Sequence, residues 1–240
     1  MLRHLRISVV ALAAIVGAGW PAFTVAQDAA DEIERIQKSI EILRALTATP
    51  DDAIPQYLLE RAEAIVVIPS LVRGGFVVGA KHGKGIISVR DRAGNTWSPP
   101  AFMSMTGGSI GWQIGAEAVD MVLLVMNKEG VGELLEDRFT LGGNLSVAAG
   151  PVGRSASAAT NAQVSSQILA YSRSKGLFAG ATIEGAALHE DRDANKNFYG
   201  TALTTRTIVG ERTAMTTTPP AAEMWRDTLQ RLTMPKAPAR

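Results

Sequence analysis

Gly107-Gly108-Ser109-Ile110-Gly111 has the G-x-S-x-G spacing of a hydrolase nucleophile elbow. That chemistry needs a serine strained at a strand-to-helix turn, backed by a histidine base and an acid. Here Trp112-Gln113-Ile114-Gly115 follows and continues a strand pattern. Beyond the N-terminal segment the bases on offer are His82 and His189, with Asp120 or Asp137 ahead of His189 as the acid. Neither acid has supporting context, and sheet curvature explains the glycines better. A serine hydrolase at Ser109 is therefore the weakest functional reading. Gly79-Ala80-Lys81-His82-Gly83-Lys84-Gly85 approaches a phosphate loop but is one residue short between its outer glycines. Gly85 also stands where Mg²⁺ needs a hydroxyl, and a strand rather than a helix follows. The segment reads as a basic hairpin tip. Asp191-Arg192-Asp193-Ala194-Asn195 opens like a calcium loop, yet Lys196 and Ala202 occupy the positions of the required Gly and Glu. It reads as a turn or a helix cap, with a looser ion site left open. The histidines lack metal-ligand spacing. No catalytic residue, metal or cofactor is expected.

What remains is a set of cations at turns: Arg73, Lys81, Lys84, Arg154, Arg173 and Lys175. Lysine and arginine beside exposed backbone N–H groups suit phosphate head groups. The absence of cysteine excludes disulfides, thiolate chemistry and a lipid anchor on cysteine. Few aromatics, 5% of the chain, argue against stacking on nucleic acid.

The elements that must position these cations begin with a leader. Arg3 and Arg6 precede an apolar run from Ile7 to Gly19, and Thr24-Val25-Ala26 supplies small residues at a cleavage site. The run is short for a bilayer span of ~20 residues. Cleavage after Ala26 is expected, with export to the periplasm or cell envelope. It leaves 22 cations against 23 anions, a net charge of −1. Attraction to an anionic surface must then come from local clustering.

Ile33, Ile36, Ile40 and Leu43 recur at helical steps between charged residues, predicting an amphipathic helix over 28–46. Such a stripe docks on the chain's own core or lies on a membrane surface. A second helix is predicted over 54–62, then a buried strand over 65–68 stopped by Pro69. Strands over 75–81 and 84–90 read as a hairpin turning near His82-Gly83. Further strands are predicted over 109–114, 121–126, 140–149, 164–172 and 181–189, with a short helix over 127–135 capped by Asn127. Glycines within strands suggest a strongly curved sheet. Pro219-Pro220 opens a last helix, with Met224, Trp225, Leu229 and Leu232 inward. The expected fold is α+β: a curved, mainly antiparallel β-sheet or partly closed barrel with flanking N- and C-terminal helices. Residues 27–234 read as one domain and 235–240 as a disordered tail.

Tyr171-Ser172-Arg173-Ser174-Lys175-Gly176-Leu177-Phe178-Ala179-Gly180, with Ile183-Glu184-Gly185, resembles the signature of the SYLF domain family. Gly74-Gly75-Phe76, Gly83-Lys84-Gly85, Gly111-Trp112-Gln113-Ile114-Gly115 and the segment from Ala148 to Arg154 are similar to the family's other blocks, in the same order. Asp193-Ala194-Asn195 and Phe198-Tyr199-Gly200 follow suit. The resemblance spans about residues 29–210. It implies a non-enzymatic domain whose eukaryotic members bind phosphoinositides, partly through an N-terminal amphipathic helix, and in some cases actin filaments. For an exported chain it implies an anionic phospholipid or membrane surface as partner, with another envelope protein as the alternative. Actin is not expected in that compartment, nor is nucleic acid. Arg73, Lys81, Lys84, Arg154, Arg173 and Lys175 are the expected head-group contacts, with Ile33, Ile36, Ile40 and Leu43 at the acyl boundary.

Overall fold

The unbroken apolar run from Ala64 to Ile68 sets the architecture. The structure is a computed structural model. It describes residues 21–46, 54–75, 78–93, 95–110, 115–136, 138–143, 146–153, 166–183, 185–210 and 218–235. Strand β1 (Ala64–Gly75) lies between β2 (Val78–Asp91) and β5 (Gly115–Val125), antiparallel to both. Ile65 and Val67 enter one apolar cluster, Val66 and Ile68 a second. Strand side chains alternate between faces, so a solid apolar run belongs where both faces are covered.

The other strands are β3 (Thr96–Trp97), β4 (Ala101–Ile110), β6 (Arg138–Thr140), β7 (Val147–Ala149), β8 (Ile168–Ser174), β9 (Leu177–Gly180) and β10 (Ala186–Glu190). The sheet runs β6-β10-β4-β2-β1-β5-β8-β7, with β3 added to β2 and β9 to β8. Only the β7–β8 pairing is parallel among these strands. The sheet curls strongly into a half-barrel, the α+β fold expected.

One face carries the helices α1 (Pro21–Ala45), α2 (Gln56–Arg61), α4 (Arg192–Tyr199) and α6 (Pro220–Thr233); their apolar residues meet Ile65, Val67, Ile86 and Phe102. On the other face, α3 (Lys128–Leu134) and α5 (Thr205–Gly210) add Leu134, Ile208 and Val209 to Met103, Met105 and Met121. Asn127 caps α3 as expected, accepting from the Gly130 amide at 2.8 Å. In α6, Trp225 and Leu229 are buried, whereas Met224, expected inward, is exposed. Buried indole N–H groups need acceptors. Trp225 Nε1 donates to Ser88 Oγ at 2.7 Å and Trp97 Nε1 to Thr233 Oγ1 at 2.9 Å, which ties α6 to the sheet.

Three expectations about strands need correcting. Pro69 does not end β1. The strand continues through a bulge, with register shifts between Ile68 and Leu71 against β5 and between Val67 and Val72 against β2. Proline has no N–H to give a ladder, so it is tolerated where the ladder is interrupted. Ser70 takes a φ of 52°, and its amide donates to Asp120 Oδ1 at 3.0 Å. Nor is there a turn at His82-Gly83: β2 runs straight through, and Gly75 pairs with Gly79 at the real hairpin end. Gly83 and Gly85 instead face the bulge. A Cβ on Gly85 would lie 2.4 Å from the Val67 carbonyl oxygen, and one on Gly83 2.7 Å from Ile68 Cγ2. The strand expected over 140–149 resolves into β6 and β7, at opposite ends of the sheet order. Of the tail expected over 235–240, residues 236–240 lie outside the described residues.

Candidate functional site

Strands β8 and β9 form a hairpin whose loop is Lys175-Gly176, since Ser174 pairs with Leu177. Both loop residues have positive φ, 51° and 86°. This is the turn whose twist matches that of the flanking strands. The signature segment is thus largely a folding motif. Tyr171 is fully buried, its hydroxyl donates to the Pro151 carbonyl at 3.3 Å, and burial pushes its phenol upward. Gly150 lies on its ring: a Cβ there would sit 2.0 Å from Cζ. The tip is open. Lys175 is exposed and makes no ion pair among the described residues, and Leu177 beside it is 60% exposed.

Of the expected cations, Arg173 and Lys84 are held by carboxylates. Arg173 is on β8, directly opposite Asp120 of β5. Its guanidinium lies 3.5 Å from that carboxylate and 5.8 Å from the centre of the Phe178 ring. Lys84 reaches Asp191 at 3.6 Å, with its side chain half-exposed. The backbone of Lys81 pairs in register with that of Arg73, which in turn pairs with Glu117 on β5. Arg154 lies outside the described residues.

The apolar stripe of α1 is core. Ile36, Ile40 and Leu43 are 0%, 4% and 1% exposed, and Ile33 alone of the expected insertion residues is open, at 38%. In this folded state the other three are not available to an acyl boundary, because they cover Ile65, Val67 and Phe102.

Alongside the stripe is a feature that sequence reading missed. Arg35 of α1 lies 3.6 Å from Glu32, 3.6 Å from Asp191 and 5.2 Å above the Phe102 ring. With Lys84 this makes a chain of alternating charges from α1, through the head of α4, to β2. Burial raises the Glu32 carboxyl, and Arg35 opposes that rise. The available signal was position: Glu32 is four residues before Ile36, on the stripe itself. Asp191 also caps α4, accepting from the Ala194 amide at 3.2 Å, and the fully buried Asn195 accepts from the Phe102 amide at 2.8 Å. The would-be calcium loop is therefore a helix cap.

The remaining chemical motifs lose their geometry. Ser109 stands in β4 opposite Gly79, within a strand rather than at a strand-to-helix turn. Gly107 is explained by β10, for a Cβ there would lie 2.9 Å from Ala186 Cα. His189 bonds Thr106 Oγ1 at 3.1 Å, and no metal-holding group of three or more side chains occurs among the described residues.

The family model Ysc84, described as "Las17-binding protein actin regulator", matches residues 106–232, from β4 to α6. The chain belongs to this family, the SYLF family that its signature resembles. The Ysc84 family is one of binding and adaptor domains. Protein YSC84 of Saccharomyces cerevisiae is 40% identical over 195 residues, which are 78% of this chain and 41% of that protein. LAS seventeen-binding protein 3 of the same species is 41% identical over 165 residues, 68% of this chain and 36% of that protein. The human SH3 domain-containing YSC84-like protein 1 is 34% identical over 169 residues, 68% and 49% of the two chains. The chain thus spans half or less of the length of these relatives.

Proposed function

We propose that this Ysc84-family domain binds an anionic membrane surface of the cell envelope without catalysing a reaction. The observation that carries this reading is the β8–β9 tip, where exposed Lys175 stands beside Leu177, the most exposed large apolar side chain among the described residues. A cation meets head groups while an apolar neighbour enters the boundary below them. Arg173, held by Asp120, positions the hairpin instead of meeting lipid. The N-terminal leader supports export, with the chain beginning at Gln27 after cleavage.

A single cation near an anionic surface contributes about 1 kcal/mol, a factor of about five in affinity. In cosedimentation with phosphatidylglycerol vesicles, Lys175→Ala is expected to lose about that factor at low salt and little at high salt. Leu177→Ser is expected to lose affinity at both salt levels. Wild-type affinity in both variants would remove the tip from the interface.

A second reading is favoured by the family's description and by the names of its relatives: a protein partner of the kind that regulates actin assembly. The expectation that actin is not a partner follows from the leader alone, and the comparisons lend it no support. Pull-down of an unlabelled protein partner by wild type, with no response to anionic vesicles, would favour this reading.

A further inference from the structure

The face of the sheet opposite α1 and α6 carries a cleft of about 190 Å³. Its apolar lining is Met103 of β4 with Leu134 and Leu135 at the end of α3. Its polar lining meets there from three elements. Glu190 ends β10, and its side chain is 11% exposed. One of its carboxylate oxygens accepts from the Thr205 amide; the other meets Arg192 at 2.8 Å, whose side chain is 68% exposed. Glu136, just past α3, pairs at 3.2 Å with Arg206 of α5, and both side chains are exposed. Two threonines complete the lining, and they differ. Thr204 Oγ1 accepts from the Thr207 amide at 3.1 Å and so caps α5. Thr205 is 5% exposed, and its hydroxyl has no hydrogen-bond partner among the described residues. A buried hydroxyl that the chain leaves unpartnered is a place for a partner from outside it.

We propose that this cleft binds a primary alkylammonium group. The lining sets the sign of the charge: Glu136 and Glu190 against Arg206 leave one negative charge in excess. Glu190 is the buried, fixed charge. Arg192 and Arg206 reach the two carboxylates from the solvent side, so water solvates either guanidinium when it is displaced. An ammonium replaces Arg192 on the Glu190 carboxylate through a charge-assisted hydrogen bond. A second N–H donates to the Thr205 hydroxyl, which has lone pairs to offer. The alkyl chain lies against Met103, Leu134 and Leu135, where the volume gives room for about six water-sized groups. An anion would instead be set beside the buried Glu190 carboxylate. Two sources carry this group: a free alkylamine, and the lysine side chain of a partner protein. The inference does not rest on membrane binding, for β10 and β8 lie toward opposite ends of the sheet order.

The test is titration of the protein with n-pentylamine, followed by amide NMR shifts. Saturable shifts are expected at Glu136, Thr205 and Arg206, with none at Lys175 and Gly176, and a Kd of about 1 mM for so small a probe. Pentan-1-ol, of the same length without the charge, is expected to bind at least tenfold more weakly, and pentanoate not at all. Glu190→Gln keeps an acceptor for the Thr205 amide while removing the charge, and is expected to weaken pentylamine at least tenfold. Thr205→Val removes only the hydroxyl; it is expected to weaken pentylamine about fivefold and, because that hydroxyl makes no bond within the chain, to melt no lower than wild type. Nα-acetyl-lysine methylamide separates the sources. If it binds as tightly as pentylamine, the site takes a partner's lysine; if pentylamine alone binds, it takes a free amine; either result supports the ammonium site. Absence of saturable shifts, binding of pentanoate as tight as that of pentylamine, or unchanged affinity in both variants would overturn it.

Discussion

At Glu32, burial and charge oppose each other. The groups facing it are Asp31 and Arg35 on α1, Asp191 at the head of α4 and Lys84 on β2. Burial outweighs the two cations, so the folded chain holds the Glu32 proton more tightly than the unfolded chain does. The sign of the linkage follows. Glu32 contributes stability below the ordinary carboxylate range, and that contribution is lost as pH rises through its raised folded value. At neutral pH the ionised side chain is a cost. Glu32→Gln removes the charge and leaves Arg35 its contact with Asp191. It is expected to raise stability at pH 7 by on the order of 1 kcal/mol, about 2–4 °C in Tm for a chain of this size. The gain should shrink toward zero as pH falls below the Glu32 range. Thermal melts across pH 4–8 check this, and a gain that grows in acid would contradict it.

The bulge in β1 and the glycines of β2 form one device. Four residues of β1, Ile68 to Leu71, oppose three of β2, Gly83 to Gly85, so two backbones approach closely. Gly85→Ala drives a Cβ to 2.4 Å from a backbone oxygen that cannot move aside, whereas a Cβ on Gly108 meets nothing within 4 Å. Gly85→Ala should therefore cost roughly 1–3 kcal/mol or more in denaturant unfolding, and Gly108→Ala only a few tenths. Equal effects would contradict the close approach. This region also explains which elements were legible in the sequence. The helices α1, α3 and α6 announced themselves through periodicity and caps, and the run at 64–68 through its apolar continuity. Proline and glycine were misread because each breaks a strand in isolation, while here each answers a residue on the neighbouring strand. The site was less legible for the same reason. Arg173 and Lys84 look like free cations until β5 brings up Asp120 and α4 brings up Asp191, about 50 and 100 positions away. That Lys175 stands at an exposed turn was legible because the turn is local.

Across the whole molecule, charge is nearly balanced. After loss of residues 1–26 the chain carries 22 cations and 23 anions. Attraction to a surface is then proposed to come from a corner of the fold, the β8–β9 tip with exposed Lys175 and Leu177. The cleavage expected after Ala26 would fall within α1, which begins at Pro21, but before the docked residues Glu32 to Leu43. Export should thus leave the fold intact. N-terminal sequencing of protein from the envelope fraction is expected to begin at Gln27, and retention of Met1 would contradict export. The central claim is membrane binding, and flotation of the chain from Gln27 with vesicles tests it most directly. The protein is expected to float with phosphatidylglycerol or cardiolipin vesicles at low salt, to float less as salt rises, and to stay at the bottom with neutral phosphatidylcholine. Failure to float with either anionic lipid at low salt would contradict the claim.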